Sequence, residues 1–236
     1  MHKHEWHPVQ ATCGCELERC SVCQCSRSKL KCRLHQPAAH NSEFYYLQEL
    51  HGLTNNIPRH TKVCAELREA FLEMGYEPGN GYGKVALDIG AGIGIYAPLL
   101  MGLGYRYEAL ELDPWACKYI KGAYSPHTHN LRYEDLSEEW SWDTIMAAHV
   151  LEHLADAPAA LEKMYRTLRP GGELYLIVPD DEDLGNPDHL WFFKPETIDS
   201  WFREVGFSDV RMVVKQVVMW EKFIYLVGRK PDVEPE

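Results

Sequence analysis

The sequence predicts an α/β fold built on an open, mostly parallel sheet, and three observations carry that prediction. Val85 to Ile89 is a short apolar run of buried-strand length, with the acid Asp88 near its end. Glycines at every second position, Gly90, Gly92 and Gly94, lead from it into a helix-like segment, Ile95 to Gly102. Strand-like runs recur as far as Pro179, and a helix-periodic run, Pro158 to Leu168, lies between the last two of them, as in a strand–helix–strand unit.

The glycine loop indicates what such a sheet would carry. Without Cβ atoms the backbone can approach a ligand closely, and the notch falls at the carboxyl end of a strand, where open α/β sheets bind ligands. The spacing separates cofactors. Dinucleotide loops want Gly-x-Gly-x-x-Gly with a pyrophosphate on the helix N-terminus, whereas here the third glycine comes one residue early and Asp88 precedes the first by two. A carboxylate at that place repels a pyrophosphate and suits a ligand with an amino group. The bland alternative is a loop that only packs a helix on a strand.

The pattern Asp-x-Gly-x-Gly-x-Gly, Asp88 to Gly94, resembles the signature of class I S-adenosylmethionine (SAM) dependent methyltransferases, and the resemblance extends from about Gly83 to Lys230. The phrase from His149 to Pro179 is similar to small-molecule members, including the O-methyltransferases of quinone biosynthesis. The resemblance implies a Rossmann-like sheet of seven strands closed by an antiparallel C-terminal hairpin, for which Val210 to Val218 and Phe223 to Gly228 supply the β-branched and aromatic runs. It also implies a cofactor site. Gly90, Ala91, Gly92 and Gly94 would admit SAM, Asp88 would hold its amino acid end through the loop or water, and Ala148 would close the fourth strand beside it.

Two further acids belong to that site. Tyr105 to Glu111 reads as the second strand, and an acid at its end, 17 residues beyond Gly94, can accept hydrogen bonds from two ribose hydroxyls at once. Glu111 and Asp113 both qualify on position; the resemblance selects Glu111, with Leu112 next to it. A third strand is expected around Asn130 to Glu134, leading to Asp135 and Leu136, which the resemblance places against adenine, although Glu134 is adjacent and could exchange roles.

The fourth strand, Trp142 to Ala148, is followed by His149-Val150-Leu151-Glu152-His153-Leu154 and a helix from about Pro158 to Leu168. Residues after the fourth strand face the transferred methyl, so His149 is a candidate base for the acceptor. Methyl transfer is an in-line displacement governed by orientation, so a base is optional. Glu152 and His153 read as packing and capping groups at the helix start. Arg169-Pro170-Gly171-Gly172 should break the helix before a fifth strand, Glu173 to Pro179. The acidic loop Asp180 to Asp188 reads as a connector or a gate, and His189, ahead of the aromatic run Trp191-Phe192-Phe193, is a second candidate base. Pro195 should start a helix through Trp201 and Phe202 to Val205, stopped by Gly206.

The 236 residues allow one α/β domain of ordinary size and an appendage. The division expected is 1–40 as a cysteine-rich segment, 41–82 as a helical lead-in or lid, 83–230 as the methyltransferase domain, and 231–236 as a frayed tail. In the lead-in, Val63, Leu67, Ala70, Phe71 and Met74 fall on one helical face. Six of the eight cysteines lie in the first segment, as Cys13-x-Cys15-x4-Cys20-x2-Cys23-x-Cys25-x6-Cys32, followed by His35. So little there is apolar that a cross-link must hold it, and reduced thiolates point to structural zinc, with disulfides or an iron–sulfur site as alternatives. All seven are candidate ligands, more than one tetrahedral ion takes.

The formal charge of −11 is unevenly spread. Residues 1–40 carry six Lys/Arg against three acids, a net of +3, which leaves 18 against 32, a net of −14, on the other 196. So acidic a body argues against a broad nucleic-acid groove. With neither an apolar secretory core nor a membrane-length run, the chain reads as cytoplasmic. The function expected is therefore methyl transfer from SAM to oxygen, nitrogen or carbon of a small-molecule acceptor, with nucleic acid unlikely. The alternatives are a protein or RNA acceptor docked by the cysteine-rich module, or a SAM-binding, metal-responsive regulator without catalysis.

Overall fold

The computed structural model describes residues 3, 5–10, 16–21, 26–28, 65, 67–75, 79–180, 189–218 and 221–232. Its centre is a seven-stranded sheet. In chain order its strands are β4 (Val85–Ile89), β5 (Arg106–Leu110), β6 (Thr128–His129), β7 (Trp142–Ala148), β8 (Leu168–Pro179), β10 (Ser208–Val218) and β11 (Glu221–Arg229). They lie in the order β10-β11-β8-β7-β4-β5-β6. The pairs β4–β5, β4–β7, β5–β6 and β7–β8 are parallel, and β11 and β10 close the edge antiparallel. This is the mixed Rossmann-like sheet and C-terminal hairpin expected from the sequence.

Strand alternation divides the core into two layers. Val85, Leu87 and Ile89 join Ile145, Ala147, Leu174 and Leu176 on one face, under Leu161 and Met164 of α3 (Ala157–Arg166) and Trp201 and Phe202 of α4 (Pro195–Val205). Ala86, Tyr107, Met146 and Tyr175 line the other, under Leu67, Ala70 and Phe71 of the helical stretch 67–73 and Leu100 of α1 (Ala97–Gly102). A fourth helix, α2 (Pro114–Ala123), starts with Asp113 as its cap, the carboxylate accepting from Ala116 N at 2.8 Å. Among the described residues no helix is long and apolar enough to cross a membrane.

Three local expectations are corrected. The third strand is Thr128–His129, earlier than Asn130 to Glu134, because Asn130 turns its side chain to the carbonyls of Glu111 and Leu112 and Tyr133–Asp135 coils into a 3-10 turn. The glycine stop after α3 is a bulge inside β8: pairing jumps from Trp142↔Leu168 to Thr144↔Glu173. Glu152 caps no helix; α3 is capped by Asp156, which accepts from Ala159 N at 3.1 Å.

The N-terminal segment contributes strands that composition did not predict. β1 (Trp6–Gln10), β2 (Glu16–Cys20) and β3 (Ser26–Ser28) form an antiparallel meander, and β3 pairs with β9 (Trp191–Phe192) to make a second sheet, β1-β2-β3-β9. The register sets Ser26 opposite Phe192 and Arg27 opposite Trp191. Trp191 is held edge-on between Trp6, at 5.8 Å, and Trp201, at 5.7 Å. The Arg27 guanidinium lies 4.0 Å over the Trp6 ring.

Candidate active site

The carboxyl ends of β4, β5 and β7 meet on one edge of the sheet, and the glycine loop crosses above them. Gly90 has φ +65°, a left-handed conformation, and a Cβ there would stand 2.6 Å from Val150 Cγ2. Glycine is thus required twice over at that turn. Gly92 and Gly94 also have positive φ, and Ala91 is buried against the second face of the sheet.

Both acids of the cofactor edge are buried. Asp88, 1 % exposed, accepts the Tyr107 hydroxyl at 2.9 Å. Burial lifts its pKa to about 7, the Tyr107 hydrogen bond opposes the rise, and the charge of Glu111 adds to it. Tyr107 in turn is pushed well above its ordinary value by burial and by Asp88. Glu111 accepts Gly92 N on one oxygen and Asp113 N on the other, each at 2.8 Å. Burial raises its pKa, and those backbone N–H groups pull the other way. One carboxylate therefore ties the glycine loop to the start of α2. Leu112, beside it, is 61 % exposed.

Asp135 and Leu136 lie further out on this edge. The Asp135 carboxylate takes both Nε and an Nη of Arg132, at 2.9 and 3.0 Å, which holds its pKa low, while Leu136 is buried in the core. Ala148 ends β7 and is nearly buried.

A second cluster begins one residue later, at His149. His149 has φ 56°, uncommon for a side-chain-bearing residue, while its N–H donates to Ile177 O at 2.9 Å. Its ring meets Phe223 edge-on at 4.6 Å and remains about one-third exposed. Its Nδ1 stands 3.4 Å from Oε1 of Glu152, a side chain with no exposed surface. His153 and His189 meet edge-on at 5.0 Å on the same carboxylate. Burial drives the Glu152 pKa up, but the contact with His149 and the positive potential of His149, His153 and His189 outweigh it and leave it below the ordinary value. The structure thus gathers both candidate bases, His149 and His189, around an acid that the sequence reading treated as packing. The His-x-x-Glu-His spacing of residues 149–153 was the available signal.

Of the seven candidate zinc ligands, Cys20 is among the described residues: it ends β2 and is fully buried in the core cluster that contains Trp191. Cys13, Cys15, Cys23, Cys25, Cys32 and His35 lie outside them, as does most of the acidic loop, 181–188.

Residues 59–211 match the family model described as a methyltransferase domain. The chain belongs to this family. Among solved structures, this methyltransferase resembles the 1,6-didemethyltoxoflavin-N1-methyltransferase of Burkholderia thailandensis, with a TM-score of 0.61 at 17 % identity over 97 % of this chain and 100 % of that one. The methyltransferase of Haloferax volcanii in complex with the activator Trm112 gives 0.59 at 16 % identity, over 81 % of this chain and 98 % of that one. These likenesses show the fold, that of class I SAM-dependent methyltransferases.

Curated relatives correct one expectation. The tRNA U34 carboxymethyltransferase of Syntrophotalea carbinolica is 31 % identical over 178 residues, 66 % of this chain and 54 % of that protein. Its namesake in Tolumonas auensis is 29 % identical over 156 residues, 57 % of this chain and 47 % of that protein. This chain spans about half the length of the curated relatives it matches. The small-molecule acceptor, with nucleic acid unlikely, does not stand beside relatives of that name. The reason is physical: the net charge of −14 is a sum over 196 residues, whereas RNA is met by local cations.

Proposed function

We propose that this methyltransferase transfers the methyl group of SAM to a nucleoside of an RNA. The observation that carries the cofactor half is the pair of buried acids, Asp88 and Glu111, arranged under a glycine loop inside the matched stretch. Asp88, Gly90, Ala91, Gly92 and Gly94 would surround the amino acid end of SAM, Glu111 would exchange its backbone partners for the ribose hydroxyls, and Leu112, Asp135, Leu136 and Ala148 would border the adenine and the thioether. His149, partly exposed at the end of β7, would take the acceptor's proton, with His189 beside it.

The RNA half rests on the names of the curated relatives and on local charge. Lys222 is exposed and precedes Phe223, whose ring packs on His149, so a cation flanks the acceptor edge. The net-positive residues 1–40 supply more, and β3 brings that segment to β9. The thiol-rich part of the segment is assigned to structural zinc on the density of its cysteines.

Calorimetry with SAM on the full chain, Asp88→Ala and Glu111→Ala tests the cofactor site. Binding lost in both variants supports it; unchanged binding in both removes it. Mass spectrometry of nucleosides from tRNA incubated with protein and SAM tests the acceptor, the gain of one methyl group on a nucleoside being the expected result. Methylation of small acceptors but of no RNA would overturn the RNA reading while leaving the cofactor site intact.

A further inference from the structure

The helix that follows the ribose acid differs from the others in charge. α2 carries Lys118 and Lys121 and no acid, whereas α3 and α4 hold Glu162, Glu196, Asp199 and Glu204 among their cations. On α3 the cations are engaged: Lys163 donates to the Tyr133 and Glu134 carbonyls, and Arg166 to Glu138. Lys118 and Lys121 are exposed, and among the described residues neither forms an ion pair. In a chain of formal charge −11, two uncompensated lysines on one helix mark a place where a polyanion can approach.

Aromatic rings interleave with these cations. Trp115 and Tyr119, one helical turn apart, stack with planes 12° apart and ring centroids 5.9 Å apart. Both are partly buried, and with Lys118, Gly122 and Ala123 they line an open groove of about 400 Å³. Gly122 lies inside the helix, where glycine is disfavoured, yet a Cβ added there would meet no atom within 4 Å. Neither backbone nor packing calls for glycine at this position. Its missing side chain leaves the groove open.

The groove adjoins the cofactor edge. At the start of α2, Asp113 N donates to Glu111, the acid that also accepts from Gly92 of the glycine loop. At its end, the Tyr124 ring meets Tyr119 edge-on at 6.5 Å and lies under Gly94, where an added Cβ would stand 2.9 Å from it. The aromatic row thus runs from the ribose acid to a ring packed beneath the glycine loop.

We infer that the groove on α2 docks a single-stranded segment of RNA, one base stacking on the Trp115–Tyr119 pair and the flanking phosphates meeting Lys118 and Lys121. Aromatic faces accept any base and cations follow the backbone, which is how single strands are held without sequence readout. A protein partner would have to supply acids to match the lysines; an RNA strand carries a negative charge at every nucleotide. The choice of RNA rests on the transferase function proposed above.

Fluorescein-labelled oligouridylate and tRNA are the probes, bound to the full chain and followed by anisotropy. Gly122→Leu fills the groove from an exposed helical position. It should melt no lower than the native chain and bind SAM equally, yet hold RNA roughly fivefold or more weakly, the least expected for a lost base stack. In Lys118→Ala/Lys121→Ala the slope of log affinity against log salt should shrink by about 1.4, two phosphates at roughly 0.7 each for a single strand. Equal RNA affinity and salt slope in the native chain and both variants would overturn the groove and leave the RNA reading intact. A native chain that binds neither probe would remove both. Should Gly122→Leu misfold, the salt slope of the lysine variant decides alone.

Discussion

The two edges that meet above the sheet treat their acids in opposite ways. On the cofactor edge Asp88 and Glu111 are satisfied by the protein itself, through Tyr107, Gly92 N and Asp113 N. On the acceptor edge Glu152 has three imidazoles around it and no hydrogen bond among the described residues. The cofactor edge is therefore preformed, with donors that a ligand would replace. Around Glu152 the polar network is incomplete among the described residues, and the turn that carries it is held by β9, which β3 pairs with.

That contrast breaks first at Trp191. The residue is 3 % exposed, wedged between Trp6 and Trp201, and bonded to Leu154. Trp191→Ala should cost about 3–5 kcal/mol by the usual penalty for emptying a buried aromatic site. Hydrogen exchange should accelerate in β1–β3 and in the turn of Glu152, while the amides of β4 and β5 lose protection only with global unfolding. Uniform loss across both edges would mean that they are one cooperative unit and that the contrast is false.

Next in size is the pH response of Asp88. Its folded pKa, about 7, exceeds the ordinary 3.8. Below pH 3.8 both states are protonated and the group contributes nothing. Between the two values the unfolded chain loses the proton and the folded chain keeps it, so stability falls as pH rises; above 7 the full penalty remains. The span corresponds to about 4 kcal/mol as an upper bound. Asp88→Asn should accordingly raise the thermal midpoint at pH 8, leave it unchanged at pH 4, and weaken SAM binding at pH 8 more than at pH 4. A midpoint that falls at pH 8 would mean that the ionised carboxylate is stabilised in place.

How much of this could be read from residues alone follows the same divide. The cofactor edge is local: Asp88, the glycines, Glu111 and Asp113 fall within 26 residues, and each strand end carries its acid. Spacing therefore located the loop and the strands beside it, and the family resemblance supplied the seven-stranded sheet and its closing hairpin. The acceptor edge is assembled from 149–154 and 189–193, joined by Leu190 N to the Glu152 carbonyl and Trp191 Nε1 to the Leu154 carbonyl, and from strands 6–10, 16–20 and 26–28, joined to them through the pairing of β3 with β9. Three-residue β3 and two-residue β9 are too short to show a period. Net charge misled for a related reason, since a sum cannot describe where single lysines such as Lys222 emerge.

A smaller effect sharpens the cofactor side. In Gly90→Ala the new methyl would meet Val150 and the backbone would keep φ +65°, a strain of about 1–3 kcal/mol. Because Val150 adjoins His149, the expected outcome is a lowered thermal midpoint together with loss of methyl transfer exceeding loss of SAM affinity. An unchanged midpoint would show that the loop relaxes freely and that Val150 does not couple the edges.

The smallest expected effect is at Asp135, where the cofactor edge reaches solvent. Its carboxylate is already engaged by Arg132 in an ion pair whose two side chains are 61 % and 53 % exposed, a type of contact that rarely moves stability. Asp135→Ala should leave the melting curve where it is. If the carboxylate leaves Arg132 to accept from the adenine amino group, SAM affinity should fall a few-fold, and a SAM analogue with hypoxanthine in place of adenine should bind the native and variant chains alike. Equal loss for both ligands would assign the effect to the 3-10 turn instead of the amino group, and no loss for either would move adenine recognition to Leu112 and the backbone beside it.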